Sequence, residues 1–217
     1  MILFTCLLFA FDASDVRAYE IYPNYPKAWS SRTTYNQAAL IHYDGNLESV
    51  YSDVSIATAY NKWAVSCSGN VYVTNTVTQN PQNPSGRIYY LVPTQQYWAN
   101  KFGEFSGVSV LGYTFLYDTN GIEIHDEQTA STTTSLIKSA NLFIQPQSFT
   151  AFDDLTVAQK HCVIAHEIGH ALGFGHPKDS EGHEIETHES IMDHEAKDYL
   201  GIGPQDCDNL ISKYPRP

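Results

Sequence analysis

Basic residues are scarce in this 217-residue chain: Lys and Arg total 12 against 24 Asp and Glu, a formal net charge of -12. So few cations cannot neutralise a phosphate backbone or hold an anionic membrane, which argues against nucleic acid and anionic lipid as partners. The plainest use of the acidity is solubility. No hydrophobic run reaches the roughly 18–20 residues of a membrane-spanning helix, so no membrane anchor is expected. Internal repeats, long charge runs and low-complexity tracts are missing as well. No N-x-S/T acceptor with a permitted middle residue occurs, so N-glycosylation is not expected. A composition 42% hydrophobic and only 17% charged, in a chain of this length, predicts one folded domain with a full core.

Cysteine is also sparse, at 4 residues. Cys6 lies in an apolar run at 2–11 that is followed by polar residues and a small-x-small style ending at Val16, Arg17 and Ala18, the pattern of a secretory signal peptide over 1–18. Export is therefore expected, followed by an extended lead segment at 19–30 containing Pro23 and Pro26. Cys67, Cys162 and Cys207 then remain, an odd number that allows at most one internal disulfide. Cys162 with Cys207 is the preferred pair, since each stands near a predicted helix start; three buried thiols are the alternative.

Hydrophobic spacing predicts a first helix over 49–66, from Val50, Val54, Ala57 and Ala64 with Trp63 adding bulk. Strands are predicted at 71–77, 87–92, 107–117 and 140–145, with a loop at 75–86 and a turn at 118–121. A second helix opens on a capping box of Thr156 and Gln159, runs over 157–172 and stops at Gly173. A third, over 204–214, has Pro204 in its first turn and Asp206 and Asp208 beside the positive helix end. A helix, several strands and two late helices imply an α+β domain.

The second helix carries the chemistry. His166 and His170, four residues apart, share one helix face and can grip one metal ion. Glu167 projects to the neighbouring flank, where a carboxylate can work on water without being a ligand. A third ligand has to come from beyond the helix. Gly173 allows a sharp turn at the helix end, so that His176 can swing back toward the pair. Three histidine ligands leave a fourth zinc position open, which separates a catalytic zinc from a structural one.

The run HEIGHALGFGH at 166–176 resembles the metzincin zinc-peptidase signature HExxHxxGxxH at every specified position. Ser190, Ile191 and Met192 look like the Met-turn of that family, with Met192 as its methionine. Within the metzincins the chain is most similar to the matrixin, or matrix metalloproteinase, catalytic domain. The likeness spans 27–214 loosely and is strong over 157–176; Asp206, Leu210 and Tyr214 match positions of the closing helix. The resemblance implies a metzincin, zincin-like catalytic domain over 31–217, with a twisted mixed sheet, a first helix, a zinc-binding helix and a C-terminal helix. It implies a secreted, monomeric endopeptidase acting on protein or peptide substrates. Zn2+ would be held by His166, His170 and His176, with Glu167 as general base and Gly173 and Met192 as structural residues. It also implies substrate extended along a sheet edge near 108–113. Structural calcium, Ca2+, belongs to the same picture in a loop around 103–127, where no ligand set can be assigned.

The chain departs from that pattern in three places. An acidic insertion at 177–189, with His183 and His188, precedes the Met-turn. Asp193, His194 and Glu195 replace the Pro and Tyr that follow it in matrixins, which leaves the specificity pocket unassigned. No cysteine switch stands between the signal segment and the domain; Glu20 or the lead segment is the alternative source of latency. His183, His188, His125 and Asp126 fit no metal template and read as solvated loop residues. His161 faces away from the metal pair and reads as a capping or surface histidine. Two rival readings are a catalytically silent binding module on this fold, and a gluzincin-type peptidase whose third ligand is Glu189, from the match of 189–193 to ExxxD.

Overall fold

The computed structural model describes residues 42–67, 87–103, 110–118, 120–124, 137–177, 189–193 and 201–213. The signal segment at 1–18, the lead at 19–30, the strand at 71–77, the loop at 75–86, and His125, Asp126, His183, His188, His194 and Glu195 lie outside the described residues.

The fold is α+β. Strands β1 (His42–Gly45), β2 (Arg87–Leu91), β3 (Gly112–Tyr117), β4 (Glu123–Ile124) and β5 (Ser139–Ile144) form one mixed sheet in the order β1-β2-β5-β3-β4. The first two pairings are parallel, whereas β3 runs antiparallel to both β5 and β4. The predicted turn after β3 is present. Asp118 accepts from the Asn120 and Ile122 amides at 2.8 and 2.9 Å, and the chain folds back into β4. The Ile122 amide, the largest influence on it, holds the Asp118 carboxyl below its ordinary range.

Period-two alternation gives the sheet two apolar faces. Leu116, Ala140, Leu142 and Ile144 enter the main core, under helix α2 (Ile56–Ser66) and helix α4 (Val157–Ala171). Phe115 and Phe143 point the other way and bury Trp98 of helix α3 (Gln95–Phe102). Helix α5 (Pro204–Lys213) closes the domain, with Leu210 in the main core. No helix among the described residues is long and apolar enough to cross a membrane.

Two expectations are corrected and one helix is added. The single helix over 49–66 is two: a turn of helix α1 (Leu47–Val50), then α2. Ser55 is extended and caps the new start, its hydroxyl accepting from the Thr58 amide, while Glu48 accepts from the Ile56 amide at 2.7 Å. The core face of α2 is then Ile56, Ala59, Tyr60 and Trp63. Helix α3 was not foreseen, because its polar run Gln-Gln-Tyr-Trp-Ala-Asn-Lys-Phe buries only Trp98 completely. The disulfide joins Cys67 to Cys207, with a Cα separation of 5.0 Å, and Cys162 is a buried thiol outside the bridge. Pairing follows proximity in space. The end of α2 meets the first turns of α5, whereas Cys162 faces inward from α4.

Candidate metal centre

Helix α4 starts and stops where its sequence signals stand. Thr156 accepts from the Gln159 amide and Gln159 accepts in return from the Thr156 amide, a complete capping box. At the other end Gly173 adopts φ 85°. The Gly173 amide donates to the His170 carbonyl at 2.8 Å and the Phe174 amide to the Gly169 carbonyl at 3.0 Å, the paired bonds of a Schellman turn. This turn brings His176 back over the helix.

The Nε2 atoms of His166, His170 and His176 converge, at 3.0 Å for 166 and 170, 3.2 Å for 170 and 176, and 3.3 Å for 166 and 176. Among the described residues these three form the one group of His, Cys, Asp or Glu side chains placed to share a metal ion. Two of the rings are oriented from behind. His166 Nδ1 donates to the Ile191 carbonyl at 2.6 Å, and His170 Nδ1 donates to the Phe174 carbonyl at 2.8 Å. A carbonyl can only accept, so each Nδ1 bears the proton and, in the neutral ring, each Nε2 presents a lone pair. Lone pairs facing each other at 3.0 Å call for a cation between them. Tetrahedral zinc, with Zn–N of about 2.0–2.1 Å, sets neighbouring nitrogens about 3.3 Å apart, so the donor set fits the ion.

Ile191 belongs to a turn fastened to α5. The Ser190 hydroxyl donates to Asp206, whose other oxygen accepts from the Ile191 amide at 3.0 Å and the Gly203 amide at 2.8 Å. The Met192 amide in turn donates to the Ser190 hydroxyl at 2.8 Å. Met192 is buried against Gly169 of α4, beside Trp63. Trp63 donates from its indole nitrogen to the Ala165 carbonyl at 2.8 Å and stacks on Phe174.

Glu167 is buried at 4% exposure and packs against β3. Burial pushes its carboxyl up to about 8, and the Thr114 hydroxyl, donating to Oε2 at 2.7 Å, pulls the other way. A dication nearby would draw the carboxyl down further.

The structure thus brings together His166, His170 and His176, with Gly173 making the turn that returns the third; Met192 packs under the helix at Gly169, and the Glu167 side chain lies against Gly112 and Thr114. It does not bring Glu189 into the histidine cluster; that residue is exposed. His161 accepts from the Ser55 amide at 2.9 Å, which makes it a capping histidine of α2. Sequence reasoning missed the Ile191 and Phe174 carbonyls, because a main-chain acceptor leaves no residue-type signal. It also missed Thr114, for which the available sign was its place two residues from Gly112 on one strand face.

No protein-family model matches the chain, and neither a curated protein nor a solved structure matches it.

Proposed function

We propose that this chain is a secreted, monomeric zinc endopeptidase of the metzincin type, resembling the matrixin catalytic domain. The observation that carries the reading is the convergence of three Nε2 atoms within 3.3 Å, two of them oriented by carbonyls behind the rings. His166, His170 and His176 would hold the ion. Zinc bound there supplies a Lewis acid that polarises the scissile carbonyl and lowers the pKa of water toward neutrality.

The chain's own residues do the rest. Glu167 takes a proton from the attacking water on its carboxylate and delivers it to the leaving amine, a role worth about 10²- to 10⁴-fold in rate. Met192 supports the helix under the histidines and touches no reacting atom. Protein or peptide substrate lies extended along a sheet edge near residues 108–113, through main-chain hydrogen bonds. Calcium has no ligand set assigned to it here.

Cleavage-site profiling of the zinc-loaded protein on a proteome-derived peptide library tests this reading, with a chelator and Glu167→Ala as controls. Cleavage abolished by both controls is expected. Stoichiometric zinc without any cleavage would establish the rival, a silent binding module.

A further inference from the structure

On β3, Gly112 and Thr114 share the face turned toward α4, and both meet the same side chain. A Cβ on Gly112 would stand 2.7 Å from Glu167 Cγ and 2.8 Å from Oε1. The missing side chain is what admits the carboxyl group to this place. Thr114 Oγ1 stands 2.7 Å from Glu167 Oε2 and 3.1 Å from the Glu167 main-chain oxygen. One strand therefore makes room for Glu167 and also grips it.

We propose that Thr114 is a positioning residue for Glu167, its hydroxyl holding the carboxyl group in its place against Gly112. The inference rests on the peptidase reading above. A hydroxyl has one proton to give and lone pairs to receive. Toward the carboxylate, Thr114 donates to Oε2. Thr114 itself gains and loses no proton, and together with the space at Gly112 it fixes where the carboxyl stands. Without the hydroxyl, the buried Oε2 would lose this partner.

Thr114→Val keeps the shape and removes the hydroxyl, Thr114→Ser keeps the hydroxyl, and Thr114→Ala is the smaller substitute should Val prevent folding. In the zinc-loaded protein, Val or Ala is expected to lower kcat roughly ten- to hundred-fold with KM and zinc stoichiometry unchanged, and Ser to restore most of it. Crystal structures of the zinc-loaded variants supply the second readout: without the hydroxyl, Glu167 is expected to leave its place against Gly112. A wild-type protein that cleaves nothing would overturn the peptidase reading alone, and the Glu167 conformation would still decide the role of Thr114. Full kcat in Thr114→Val, or Glu167 unmoved in that variant, would overturn the proposal.

Discussion

A Cβ on Gly169 would stand 2.2 Å from the Met192 sulfur and 2.9 Å from Trp63 Cζ2, so the helix carrying His166 and His170 rests directly on these two side chains. Gly169→Ala should therefore destabilise. Overpacking costs about 1–3 kcal/mol, against a helix-propensity gain of about 1 kcal/mol for replacing glycine. Met192 can move, but the indole ring of Trp63 is held by its bond to the Ala165 carbonyl and its stacking on Phe174. A lowered thermal midpoint of the zinc-saturated variant is expected. An unchanged or raised midpoint would show that Met192 has room to spare.

The Cys67–Cys207 bridge closes a sequence separation of 140 residues and anchors α5 one residue from Asp206. On the chain-entropy view a loop near that length is worth about 5 kcal/mol, with measured native bridges at about 2–5 kcal/mol. The Cys67→Ala/Cys207→Ala double variant should unfold at lower urea concentration by a margin in that range, whereas Cys162→Ala should show only the cost of a small cavity. Peptide mapping without reduction should recover Cys67 and Cys207 as one linked pair. Recovery of a Cys162–Cys207 link would refute the assignment.

Helix α4 was legible because its punctuation is local: Thr156 with Gln159 at the start, Gly173 at the stop, and histidines whose spacing is the helical repeat itself. The β3 turn at Asp118 was legible for the same reason. What escaped depends on residues far apart in the chain. Cys67 meets Cys207 only after α2 and α5 have docked, and Ile191 reaches His166 only because Asp206 pins the turn between them. The break between α1 and α2 is set by Glu48 and Ser55 competing locally for amides that a continuous helix would have used, and helical spacing of apolar residues carries no trace of that.

Asp206 gathers three donors on two oxygens: the Ser190 hydroxyl on one, the Ile191 and Gly203 amides on the other. Asp206→Asn replaces one acceptor with an amide group that itself donates, so either a main-chain amide loses its acceptor or the Ser190 hydroxyl must turn its proton elsewhere. Asp206→Asn and Asp206→Ala should both cost about 1–3 kcal/mol. Since the same turn presents the Ile191 carbonyl to His166, zinc affinity should fall about 10- to 100-fold. Chelator competition measures the second effect, and unchanged affinity in a folded Asp206→Ala protein would separate the turn from the metal centre.

His161 accepts from the Ser55 amide, which only the neutral ring can do at Nε2. Burial lowers its proton affinity, Lys62 lowers it further, and Asp53 acts in the opposite sense. In the unfolded chain the ring titrates near the ordinary histidine value of about 6.5. Below that value the unfolded state binds the proton more readily than the folded one, so stability falls as the pH falls. The contribution is present in full above about 6.5 and is lost as pH falls through the depressed folded value. His161→Gln keeps an acceptor and cannot titrate, so its thermal midpoint should fall less than that of the wild type between about pH 7 and pH 5. The groups that titrate in both proteins cancel in that comparison. Parallel curves for the two proteins would show that His161 does not couple protonation to the start of α2.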